Sequence, residues 1–153
     1  MKYIVRDPDY EARVRESFGR QQFMATLGAH ITRVAPGEVD ITFAFRDDLT
    51  QQNGYVHAGA VTSVVDSACG YAALTLMAPG ADVLSVEFKV NLIAPAKGTE
   101  FVAKGRVVRS GRTITVVAGE LCSAEVVVAV MQGTMMALQK EDRGQDDRKT
   151  GRG

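Results

Sequence analysis

Asp66 is the residue of this sequence best placed to do chemistry. It stands near the middle of 57–77, HAGAVTSVVDSACGYAALTLM, a run that is otherwise apolar or small nearly all round. A lone carboxylate in such a run is either a structural acid satisfied by a partner or a base or nucleophile sheltered from water. His57 opens the run nine positions earlier, where an imidazole serves as a polar cap, as a catalytic group, or as both. The N–H groups just after it, at Ala58 and Gly59, belong to a first helical turn, which has unpaired donors and the positive end of the helix dipole. Cys69 follows Asp66 by three residues, but a nucleophilic thiol needs a neighbouring base, so core packing is the simpler role. The chain has two His and two Cys and lacks Cys-x-x-Cys and His-Glu-x-x-His spacings, so no metal is expected. Cys69 and Cys122 are expected as reduced thiols.

The elements that must position these residues follow from periodicity. With 153 residues, 46% hydrophobic and 24% charged, one domain with a real core is expected. Lys plus Arg and Asp plus Glu both total 18, which gives no basic field for nucleic acid. The charged start MKYIVRDPDYEARVRESFG lacks the apolar stretch of a signal peptide, so a cytoplasmic location is expected. Residues 9–27 carry Val14, Phe18, Phe23, Met24 and Leu27 at roughly helical spacing and predict one amphipathic helix, an N-terminal segment over 1–27. Two strands are predicted over 30–35 and 38–45 about the Pro36-Gly37 turn, then a loop with Asn53-Gly54 as its turn signal. The long helix over 57–77 must be enclosed. Its length would suit a membrane, but Asp66 at its centre opposes that reading.

Four further strands are predicted over 83–93, 100–109, 112–122 and 125–138. The short links between them predict an up-and-down antiparallel sheet. Alternation places Ser85 with Glu87, Lys89 and Asn91, opposite Val86, Phe88, Val90 and Leu92, so register decides which side Ser85 faces. The segment 140–153 has no apolar residue and is expected as a disordered polar tail.

One antiparallel sheet of about six strands curved around one long helix is an α+β arrangement that resembles the hotdog fold, with its domain over 28–139. The run Gln51-Gln52-Asn53-Gly54-Tyr55-Val56-His57-Ala58-Gly59-Ala60, followed by Asp66, is similar to the active-site signature of PaaI-type acyl-CoA thioesterases. That signature is a His-Gly-Gly helix start, an acid two and a half turns along, and an Asn or Gln six residues before the histidine. Ser85-Val86-Glu87-Phe88 and Ala94-Pro95-Ala96-Lys97-Gly98 extend the similarity. Ala58 departs from the family's first glycine, yet keeps its backbone N–H.

The resemblance implies hydrolysis of an acyl- or aroyl-CoA without a cofactor. Asp66 would be base or nucleophile, Ala58 and Gly59 the oxyanion donors, His57 and Gln51 their neighbours, and Ser85 a helper to the acid. Ala58 and Asp66 are eight residues apart, about 12 Å along one helix, so one chain cannot grip one carbonyl with both. A two-fold homodimer with antiparallel helices would unite them, and a dimer of dimers is a further option. Candidate substrate-binding residues are Asn53 and Gly54 in the loop, and Lys97, Arg109 and Arg112 for the coenzyme's phosphates. The rivals are a hotdog hydratase or dehydratase, whose helix-start patterns are missing here, and a non-catalytic acyl-CoA-binding protein.

Overall fold

The computed structural model describes residues 3–139; the tail expected over 140–153 lies outside the described residues. Two helices, α1 (Tyr10–Gly19) and α2 (Gln22–Thr26), precede β1 (His30–Ala35) and β2 (Glu38–Ala44). A 3-10 turn (Asp47–Leu49) leads to the long helix α3 (Ala58–Leu74). Then follow β3 (Asp82–Leu92), β4 (Glu100–Ser110), β5 (Ile114–Ser123) and β6 (Val126–Leu138). All six strands pair antiparallel in one sheet. α3 packs on β2, β3, β4, β5 and β6, so the sheet curls around it.

Three expectations are corrected. The single helix over 9–27 is two helices, because the chain leaves helical geometry at Gln21, just after the poor helix former Gly19. The long helix stops at Leu74 rather than at 77. There the Arg13 guanidinium of α1 donates to the carbonyls of Leu74 (2.9 Å), Met77 (3.0 Å) and Ala78 (2.6 Å), and its Nε lies 3.2 Å from buried Asp7. One side chain thus supplies acceptors at the helix end with charged donors and pins α1 to α3.

The third correction concerns the sheet. The order is β1-β2-β4-β5-β6-β3, so β3 pairs with β6 and forms an edge, and β4 pairs with β2. The link between β3 and β4 is therefore a crossover rather than a hairpin turn. The N–H groups of Ile93 and Ala94 bond to Val128 O on the β6 side, Ala96 O accepts from Val56 N–H, and Thr99 O accepts from Phe45 N–H on the β2 side. Pro95 cannot donate within that link, and Gly98 takes φ 142°.

Two glycines set how deeply the helix sits. Gly105 and Gly119 are register partners on β4 and β5. A Cβ on Gly105 would fall 2.2 Å from Ala68 O, and one on Gly119 would fall 2.6 Å from Cys69 Sγ. The backbone of α3 therefore lies directly on the sheet just past Asp66, a seat that small residues on both surfaces allow.

Candidate active site

Asp66 leaves α3 toward β3, where Ser85 Oγ donates to its Oδ1 at 2.7 Å. Simple alternation would have put Ser85 with outward-facing Glu87. The register with β6 shifts between Ser85 and Glu87, so that Ser85 lies opposite Met135, Glu87 opposite Thr134 and Phe88 opposite Gly133. Val86 is the extra residue of a β-bulge, and the bulge turns Ser85 to the same face as Phe88 and Val90. Buried Met135, facing the helix, lies with its Sδ 3.3 Å from Ser85 Oγ. Burial pushes the Asp66 carboxyl above its ordinary value of 3.8, and the Ser85 hydrogen bond works against that rise. A carboxylate so held is a stronger base than one in water.

Asp66 and Ser85 open on a cavity of about 330 Å³, whose other walls include Ser17, Gln21, Ser67 and Tyr71. None of these four follows from the sequence reading. The available signal is the four-residue spacing of Ser67 and Tyr71, which places both along one side of α3; Ser17 and Gln21 stand on either side of the break between α1 and α2. Cys69 has no exposed surface and its thiol is pushed up to about 12, foremost by burial, in keeping with a packing role.

The start of α3 forms a second, separate centre. His57 is the N-cap residue, with extended backbone angles, and its Nδ1 accepts from Gly59 N–H at 2.8 Å. Gly59 permits the fold-over, since a Cβ there would lie 3.0 Å from Nδ1. The N–H groups of Ala60 and Val61 return to His57 O, and His57 N–H bonds to Leu49 O. Ala58 N–H is the first-turn donor left without a partner among the described residues. The expectation paired Ala58 with Gly59 as donors; in this geometry the Gly59 donor is already engaged.

Gln51 reaches the same place from the loop. It lines a cavity of about 380 Å³ with Tyr55, Val56, Ala58, Val61 and Leu92. Its Oε1 accepts from Asn53 N–H, which closes the turn and leaves Asn53 and Gly54 exposed at the tip, outside the cavity walls. Gly54 has φ 81°, a conformation that a side chain would strain.

The three cationic candidates do not meet in one chain. Lys97 lies in the crossover, next to Pro95 and Ala96 of the helix-start cavity. Arg109 is at the other end of the sheet, in a surface cavity of about 350 Å³ with Tyr3, Arg6 and Leu76, and Arg112 is exposed in the β4–β5 turn. Among the described residues, no group of three His, Cys, Asp or Glu is placed to share a metal ion, and no helix is long and apolar enough to cross a membrane.

Comparison with known proteins bears on the family and the fold. Residues 53–130 match the Thioesterase superfamily. A Saccharolobus solfataricus protein named an esterase by inference is 31% identical over 104 residues, 68% of this chain and 69% of that one. A thioesterase family protein from Silicibacter pomeroyi superposes with a TM-score of 0.82 at 47% identity, covering 85% of this chain and 98% of that one. The PaaI protein of the E. coli phenylacetic acid degradation operon shares the fold at 17% identity, with a TM-score of 0.79 over 85% and 94% of the two chains. A long helix seated in a curled six-strand antiparallel sheet is thus the hotdog fold, and the chain belongs to the thioesterase superfamily as a thioester hydrolase.

Proposed function

We propose that the protein hydrolyses an acyl- or aroyl-CoA to the free acid and coenzyme A, in a site shared by two copies of the chain. Asp66 of one subunit either deprotonates a water that attacks the thioester carbon, or attacks it directly to give a mixed anhydride that water then hydrolyses; in both routes the C–S bond breaks and coenzyme A leaves as the thiol, its proton coming from the water consumed or from solvent. Ser85 holds Oδ1, which leaves Oδ2 to face the reacting carbon or water. The partner subunit's Ala58 donates its N–H to the oxygen as negative charge develops there, at the positive end of the helix dipole. Gly59, His57 and Gln51 of that subunit frame the donor. No cofactor takes part.

A distance and a surface support the sharing. Asp66 and Ala58 are about 12 Å apart along one helix, too far to act on one carbonyl. The edge strand β3 leaves Leu84, Val86 and Phe88 exposed at 49%, 55% and 41%, with Leu92 and Ile93 beyond them. An apolar, unpaired edge of this kind calls for a cover, and a second β3 about a two-fold axis buries it while bringing the helices antiparallel. Lys97, Arg109 and Arg112, together with the Asn53-Gly54 turn, are the surface groups left to meet the anionic coenzyme, and a dimer of dimers is compatible with this pairing. A cytoplasmic location fits a substrate of this kind.

The observation that carries the proposal is the half-buried Asp66 hydrogen-bonded to Ser85 at a cavity wall. The test is thiol release from short, long, branched and aromatic CoA esters by wild type and by Asp66→Asn. Wild type should release thiol from at least one class, and the near-isosteric variant should lose about 10³-fold or more in kcat. Turnover by Asp66→Asn above a tenth of wild type removes Asp66 from the chemistry.

A further inference from the structure

Beyond the end of α3 lies a cavity of about 350 Å³ that shares no residue with the cavities at Asp66 and at the helix start. Three separate pieces of chain build it. The first is the N-terminal segment. The Tyr3 hydroxyl donates to Val107 O, and the Tyr3 ring lies over Gly37, where a Cβ would come within 2.5 Å of it. Gly37, at φ 75°, is tied down in turn: its N–H donates to buried Thr75 Oγ1 at 2.7 Å and its O accepts from Val107 N–H at 2.8 Å. The second piece is β4. Its register with β5 passes from Val107 opposite Val117 to Arg109 opposite Val116, which leaves Val108 as the extra residue of a bulge, 50% exposed. The third is buried Leu76, just past the end of α3.

The lining combines two chemistries. Leu76, Val108, Ile4 and the Tyr3 ring are apolar, and Ile4 and Val108 stay exposed although they border a concave site. Arg6 and Arg109 add two guanidiniums, and among the described residues neither side chain has a hydrogen-bond or ion-pair partner. No acid lines the cavity, since the neighbouring Asp7 carboxylate is turned inward to Arg13 Nε at 3.2 Å. A guanidinium keeps its charge at any working pH, and its fork matches a carboxylate. Two such forks beside an apolar wall suit a molecule with one anionic head and a hydrocarbon body. A neutral lipid leaves the cations unused, and a bare phosphate leaves the apolar wall wet. A thioester hydrolase releases a molecule of the fitting class at every turnover, a free carboxylic acid.

We propose that the cavity of Arg6 and Arg109 binds a free organic carboxylate, its head at the guanidiniums and its hydrocarbon body against Leu76, Val108 and Tyr3, apart from the site of hydrolysis. The volume stands at the small end of the about 300–1,000 Å³ usual for ligand cavities, which fits an acid of medium length. The assignment narrows the cations left for the coenzyme to Lys97 and Arg112. It does not depend on the role of Asp66: acid binding here and thiol release there succeed or fail separately.

The experiment is calorimetric titration of the full chain with octanoate, octanol, inorganic phosphate and coenzyme A, in wild type, Arg6→Gln and Val108→Glu. Both side chains are exposed, so both variants should melt within about 2 °C of wild type. Wild type should bind octanoate about tenfold or more tighter than octanol or phosphate, because neither of those engages both parts of the lining. Each variant should weaken octanoate about tenfold or more, the first by losing a fork and the second by setting a carboxylate in the wall, while coenzyme A binding stays unchanged. Octanoate bound equally by all three proteins lies elsewhere, which overturns the proposal. Phosphate bound as tightly as octanoate also overturns it, since the cavity then reads charge and not the apolar body. Loss of coenzyme A binding in Arg6→Gln gives the guanidinium to the coenzyme and overturns it as well. Absence of octanoate binding to wild type at millimolar concentration does the same.

Discussion

The two ends of the proposed chemistry are built in different ways, although one helix carries both. At the start of α3 the parts come from one continuous stretch: Gln51, His57 and Ala58 lie within eight residues, and the loop bonds to itself through Asn53, Gly54 and Tyr55. At the middle of α3 the parts come from far-separated elements: Asp66 from α3, Ser85 from an edge strand, Gln21 from the N-terminal break. A donor at a helix tip needs little more than a cap. A partly buried carboxylate needs a seat, a hydrogen-bond partner and a wall, and each must be held by tertiary packing.

Four substitutions sharpen that contrast. Ala58→Pro removes the one free first-turn N–H while leaving the helix intact, because proline is suited to the first helical position and His57 already has extended angles. Activity should fall by about 10²–10³ in kcat with little change in melting temperature, as steady-state kinetics and thermal unfolding would show. Gly105→Ala acts on the seat instead. Its Cβ would meet Ala68 O at 2.2 Å, backbone against backbone, so the helix must lift, at a cost of about 1–3 kcal/mol read as a lower denaturant midpoint.

Ser85→Ala should lower kcat about tenfold and also move the pH profile. Activity requires ionised Asp66 and is lost as pH falls through its pKa. The serine bond opposes the rise caused by burial, so its removal shifts the acid limb to higher pH. The smallest effect is on stability. Because the folded pKa of Asp66 is raised, the folded state holds more protons than the unfolded state between the two values, and stability falls as pH rises through that window. Asp66→Asn should therefore raise the melting temperature at neutral pH by a few degrees, about 2–4 °C, while the difference from wild type shrinks in acid.

The contrast also explains what the sequence made legible. Strand periodicity and the small-residue helix were sufficient for the six strands and for α3, because binary pattern reports burial directly. The helix-start centre was legible because its residues are neighbours in the chain. The β3–β4 crossover was not, since a six- or seven-residue link reads as a turn until Ile93, Ala94 and Thr99 are seen bonding to opposite sides of the sheet. Ser85 was named as a candidate, but its direction depends on the bulge at Val86, and one inserted residue inverts every alternation argument after it. The wall of Ser17, Gln21 and Tyr71 depends on where α1 breaks and on Arg13 reaching the end of α3, contacts between residues some 60 positions apart. Local pattern carries no trace of such contacts.

The central claim is that each site draws its acid from one subunit and its donor from the other. The most direct measurement is complementation between two inactive variants, Asp66→Asn and Ala58→Pro, co-expressed so that mixed dimers form. In a shared-site dimer, a mixed pair has one site with both wild-type halves, so activity should return to about a quarter of wild type when the chains assort at random. Mixed dimers with no more activity than the parent variants would contradict the account.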